Sequence, residues 1–112
     1  MEHKLQAERK VNYQAGKLQG VYQQFYYNGK LKTGGTFEKG LKQGIWTEYN
    51  SAGQKVATMK YDQDLLNGWL YTFNKDGTLL NKVLYLNGVA LSEKDTKAYL
   101  ERCKALHIEP VQ

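Results

Sequence analysis

The chain has 112 residues, 41% hydrophobic and 24% charged, a size and balance that fit one folded domain and exclude wholesale disorder. Sixteen Lys and Arg against eleven Asp and Glu give a net charge of +5, yet only Arg9 and Arg102 are arginines, so bidentate phosphate recognition is poorly supplied. No apolar run approaches a membrane span, the lone Cys103 excludes an internal disulfide, and His3 and His107 sit near opposite ends, which leaves most metal sites and nucleophile–base pairs short of parts.

The amino terminus, Met1 to Lys10, lacks the apolar segment of a secretion signal, so a cytoplasmic location is expected. It has helical propensity but a poor apolar stripe, and its structure is left open. From there a 24-residue period governs the chain, and such repetition sets the reading of each local segment. Tyr13 and Gly16 mark a half unit. Full units open at Gly20, Gly44 and Gly68, each followed by an apolar residue. Phe25, Tyr49 and Phe73 lie five residues on, and Gly29, Gly53 and Gly77 close each first half. In the second halves Phe37, Tyr61 and Tyr85 recur, as do Gly40, Asp64 and Gly88. Nine of the eleven glycines fall on three phases of the period.

Within each unit the pattern alternates with period two, which predicts strands near 7–14, 19–27, 31–38, 43–50, 55–62, 67–74 and 79–86. Short turns between them make sequence neighbours antiparallel neighbours, so the fold class is mainly β, a single antiparallel meander of about seven strands. On this alternation the packed face carries Val21, Gln23 and Phe25, then Ile45, Thr47 and Tyr49, then Trp69, Tyr71 and Phe73. The second halves add Leu31, Thr33, Gly35 and Phe37, then Lys55, Ala57, Met59 and Tyr61, then Leu79, Asn81, Val83 and Tyr85. Asn28-Gly29 and Asp76-Gly77 are the strongest turn pairs. Asp64 takes a glycine phase, where Asp tolerates left-handed backbone. Gly34-Gly35 predicts a bulge or a close approach within its strand.

The tail changes period. Ser92 can cap a helix with Asp95 as a weak partner three residues on, and Tyr99, Leu100, Cys103 and Leu106 follow helical spacing. A helix over about 92–107 is expected, stopping before Pro110 and folding back to cover apolar surface or an open edge of the last strands. The whole chain, 1–112, reads as one domain: β repeats over 11–88 and a capping helix over 92–107.

Gly44-Ile45-Trp46-Thr47-Glu48-Tyr49 through Gly53 and Tyr61, and Gly20 through Phe37 to Gly44, resemble the MORN repeat in its bacterial variant. The third unit departs from that pattern, with Leu70 where the aromatic belongs and Trp69 one place forward. The resemblance implies a binding or scaffolding role, with no enzyme activity and no cofactor. Some bacterial proteins of this kind act as antitoxin or immunity components beside a toxin.

Individual residues add little chemistry. Cys103 and His107 are one helical turn apart, but a Cys on an apolar stripe is ordinarily structural. Asp62-Gln63-Asp64 lacks the further oxygens a hard cation needs and reads as a turn, so no metal site is expected. The aromatics Tyr22, Tyr26 and Trp46 fall on the parity opposite to the packed face, beside Gln24, Glu48 and Lys60. Either they are partly exposed or a twisted sheet buries them. If exposed, Tyr22, Tyr26, Trp46 and Glu48, with Lys30, Lys32 and Lys60, form a partner-binding surface.

The expected function is therefore a protein-binding module, an immunity or antitoxin protein that occludes a toxin or effector. The basic charge disfavours a nuclease target. A nucleic-acid or anionic-membrane binder is the alternative, using Lys beside aromatics. A third is a structural module whose exposed sheet edges pair with a partner or a second copy.

Overall fold

The computed structural model describes Glu8–Lys10, Tyr13–Gln14 and residues 16–111. In chain order its strands are β1 (Glu8–Lys10), β2 (Tyr13–Gln14), β3 (Lys17–Leu18), β4 (Gly20–Phe25), β5 (Leu31–Glu38) and β6 (Leu41–Tyr49). Then come β7 (Lys55–Asp62), β8 (Leu65–Leu66), β9 (Gly68–Phe73), β10 (Leu79–Leu86), β11 (Val89–Ala90) and the helix α1 (Glu93–Ala105). One antiparallel sheet runs β1-β4-β5-β6-β7-β9-β10-β11, with β8 beside β7 and β2-β3 as a separate pair. Short β3 and β8 continue into β4 and β9, so the chain traces a meander of 7 strands in one open sheet, with two-residue β11 added beside the end of β10. The expected first strand, 7–14, falls partly outside the described residues, and its described pieces are β1 and β2.

The sequence period becomes a structural translation. Arg9 pairs with Gln24, Thr33 with Glu48, and Ala57 with Thr72, each pair 24 residues beyond the last. Two kinds of turn alternate. At the inner turns Lys39-Gly40, Gln63-Asp64 and Asn87-Gly88, both residues have positive φ, the backbone of a two-residue hairpin loop. These turns are stitched to the preceding unit. The amides of Gly40, Asp64 and Gly88 donate to the carbonyls of Leu18, Lys42 and Leu66. The amides of Lys39, Gln63 and Asn87 donate to the side chains of Gln19, Gln43 and Asn67. Asp64 adds what glycine cannot, since its carboxylate accepts the Lys42 N–H at 2.8 Å.

The outer turns carry a bulge at one phase. Phe25 pairs with Leu31, but Gln24 pairs with Thr33. Tyr49 pairs with Lys55 and Glu48 with Ala57, then Phe73 with Leu79 and Thr72 with Asn81. A one-residue bulge exchanges the faces of everything beyond it. The packed face in the body of the sheet is therefore Tyr22, Trp46 and Leu70 on the first halves, against Gly35 and Phe37, Ala57, Met59 and Tyr61 on the second. This corrects the alternation predicted for Val21 and Ile45, which are 58% and 60% exposed.

Trp46 is the centre of that face at 2% exposed, packed with Ala57 and Met59 and flanked by Tyr22, Phe37, Tyr61, Leu66 and Leu70. It lies flat over Gly35, where a Cβ would come within 2.0 Å of the ring. That is the close approach the two glycines predicted. The Trp46 indole N–H donates to the Thr36 carbonyl at 3.1 Å, so its polar atom is satisfied.

The repeat ends at residue 92. Gly20, Gly44 and Gly68 have φ of 86°, 80° and 136°. Ser92, at the same phase, has φ −66° and ψ 167° and caps α1 instead. Its hydroxyl accepts the Asp95 N–H at 3.1 Å, as the capping pattern predicted. At the other end His107 has φ 56°, and the Ile108 N–H reaches back to the Cys103 carbonyl, a left-handed stop. The helix follows the last strands, as expected, and its Cys103 is buried.

Candidate functional site

Three places gather functional side chains. The first is the aromatic row on the packed face. Tyr22, Phe37 and Tyr61 stand 5.5, 5.1 and 6.2 Å from Trp46 by ring centroids. The Lys42 ammonium lies 4.9 Å from both the Trp46 and Tyr61 rings. Such contacts fix ring orientation and contribute modestly to stability. Burial corrects the expectation that Trp46 meets a partner, while Tyr22 is half-buried and packs against it. The bulge is the cause, because it turns their parity inward.

The second place is a small hollow of about 270 Å³ near the outer turns, lined by Tyr26, Lys32 and Glu48 with Thr33, Tyr49, Asn50 and Val56. Three of the expected partner residues meet here. The Tyr26 hydroxyl donates to the Tyr49 carbonyl at 2.8 Å, and the Lys32 ammonium lies 5.7 Å from the Tyr26 ring centroid. Lys30 is exposed on the adjoining turn. Lys60 pairs with Ile45, and directly paired residues share a face, so Lys60 stands on the face opposite Trp46. The seven expected residues are thus split between core, hollow, adjoining turn and far face.

The third place was not legible as a site in the sequence. A cleft of about 790 Å³ opens between α1 and the end of the sheet. Leu79 to Val83 line it in unbroken succession, with Trp69 and Leu91, and α1 supplies Thr96, Lys97, Leu100 and Lys104. The walls are mainly apolar, and Leu79 and Leu80 are 48% and 64% exposed. Lys82 stands 4.9 Å from the Trp69 ring centroid. The one signal in the sequence is Leu79-Leu80, where the earlier units carry Leu31-Lys32 and Lys55-Val56.

Comparison with known protein families, curated proteins and solved structures finds no match to this chain. The likeness to MORN repeats rests on the residues alone.

The remaining polar groups are engaged structurally. Among the described residues, no three His, Cys, Asp or Glu side chains stand close enough to hold a metal ion. Asp62 accepts from Gln43 and Asp64 from the Lys42 amide, which makes that acidic triplet part of the turn stitching. Cys103 is buried, whereas His107 lies beyond the helix in left-handed backbone and is exposed, so the helical spacing that would pair them is interrupted. The Asp76 carboxyl is held below its ordinary range, first by the Thr78 hydroxyl and then by the Thr78 backbone N–H. It sits on the outer turn between β9 and β10 and serves that turn. Among the described residues no helix is long and apolar enough to cross a membrane.

Proposed function

We propose that the chain is a non-catalytic protein-binding module, of the immunity or antitoxin type, that neutralises a toxin or effector by occluding it. The observation that carries this reading is the apolar cleft beside α1, with Leu79 and Leu80 exposed at its mouth. Apolar side chains left uncovered together in a concave site mark an interaction surface. The thin shape, 58 × 40 × 17 Å, adds a broad surface for its mass. The MORN likeness points the same way.

Nucleic-acid binding is the weaker reading. Base stacking needs accessible rings, and Trp46 is buried while Lys42 and Lys82 lie over the protein's own aromatics. The test is co-purification of the full chain with the product of the adjacent gene, followed by a cell-protection assay against that product. A stable complex and restored growth are expected. No complex and no protection would overturn the reading, and salt-sensitive nucleic-acid binding in a gel shift would replace it.

A further inference from the structure

We propose that the cleft between α1 and β10 takes an extended, acidic and apolar segment of a partner protein as one more β-strand of the sheet. The proposal rests on the protein-binding reading above and names the binding mode.

The repeat itself points to the missing strand. The side of the sheet that leads to the next unit is paired at every earlier step. Arg9 and Lys10 pair with β4, Thr33 and Gly34 with β6, and Ala57 and Thr58 with β9. The next positions at that phase are Asn81 and Lys82. Among the described residues no strand pairs with them on that side, because β11 reaches only Tyr85 and Leu86. Ser92 has turned the chain into α1 where the next strand would begin.

The backbone records the vacancy. The Lys82 N–H donates to the side-chain oxygen of the adjacent Asn81 at 2.8 Å, a local substitute for a ladder bond. Just beyond it, the Leu84 carbonyl on the same outer side accepts the Leu91 N–H. An edge strand with outward-facing backbone groups is a template for pairing. Here that edge is one wall of the cleft and a helix is the other, the arrangement by which peptides are added to a sheet beside a helix.

The cleft also sets the chemistry of the guest. Directly opposed residues share a face, so the guest residue opposite Lys82 points the same way as Trp69 and Lys82, and alternate residues follow it. Trp69 and Leu100 favour apolar side chains at those places. Around them Lys82, Lys97 and Lys104 outnumber Glu93 and Glu101, which favours acidic residues elsewhere on the guest.

The probe is a capped eight-residue peptide in which valine alternates with glutamate and threonine. It is titrated to about 1 mM, the weak end of specific binding, into the isotope-labelled full chain and followed by NMR. The amides of Leu80 and Lys82 are expected to shift and to exchange more slowly. N-methylating one peptide nitrogen that faces the edge should weaken binding about tenfold, the effect of one lost hydrogen bond. Replacing glutamate by lysine should weaken it as well. Lys82→Pro, at an edge position that tolerates proline, should abolish binding while leaving the Trp46 resonances in place.

The proposal is overturned if no edge amide responds at that concentration, if the shifts centre on the Trp46 face, or if the N-methylated or lysine peptides bind equally well. Protection of the edge that rises with protein concentration alone would assign it to a second copy and overturn the proposal too. A complex with the adjacent gene product that is indifferent to Lys82→Pro would sink strand addition and leave protein binding intact. Loss of all such complexes would sink the protein-binding reading, whatever the peptide does.

Discussion

β7 and β10 occupy the same place in successive units and meet different fates. β7 has a strand on each side, while β10 has β9 on one side and, over Leu79 to Val83, a cleft on the other. One position decides this. Gly68 follows β8 with positive φ and lets the chain continue as a strand, whereas Ser92 holds negative φ and starts a helix. A repeat array stops where its backbone requirement fails, and among the described residues no strand then pairs with the outer side of β10 over Leu79 to Val83.

The largest expected effect lies in the closed part of the sheet. Gly35→Ala forces a Cβ into the Trp46 ring, whereas at Gly34 the nearest side-chain atom would be 3.6 Å away. Overpacking of that kind costs about 2–3 kcal/mol, so the thermal or denaturant midpoint should fall sharply for Gly35→Ala and hardly for Gly34→Ala. Equal effects would mean that Trp46 does not lie over Gly35.

Next is the boundary itself. Ser92→Ala removes the hydroxyl that accepts the Asp95 N–H, a loss of about 1 kcal/mol. Hydrogen exchange should quicken through α1 while the strands around Trp46 keep their protection. Uniform loss across the sheet would show that α1 is part of the core rather than its end cap.

The smallest effect is a pH dependence on the turn before β10. Asp76 is fully exposed and its carboxyl is lowered by Thr78. A carboxylate favoured in the folded turn supports it above the ordinary carboxylate range, and that support is lost as pH falls through the lowered value. An NMR titration should place the Asp76 midpoint below an ordinary aspartate, and Thr78→Val should raise it. An unchanged midpoint in the variant would remove the hydroxyl as the cause.

The strands, their order and the places of the turns were legible, because glycine phases and alternation survive in the sequence as spacing, but the two turn types were not. The helix was legible from Ser92 and its stripe, although Leu106 is exposed rather than packed. The facing of Tyr22, Trp46, Val21 and Ile45 was not legible. It depends on a bulge between Phe25 and Gln24 and its copies, and no residue type announces a one-residue slip. Gly35 was the available hint, a vacancy opposite Tyr22 that only a large neighbour would fill. The cleft escaped because it arises from a pairing that is missing, and only the registers of the earlier units show where a partner would stand.

Amide hydrogen exchange at Lys82 and Thr58, two positions 24 residues apart at one phase of the repeat, tests the central claim most directly. Thr58 pairs with Tyr71 in β9, while on the outer side of β10 the Lys82 N–H donates to the Asn81 side chain and, among the described residues, no strand pairs with it there. Lys82 is expected to exchange about a hundredfold or more faster, as exposed edges do relative to paired strands. Equal protection at the two sites would contradict it, since it would mean that β10 already has a strand on its outer side.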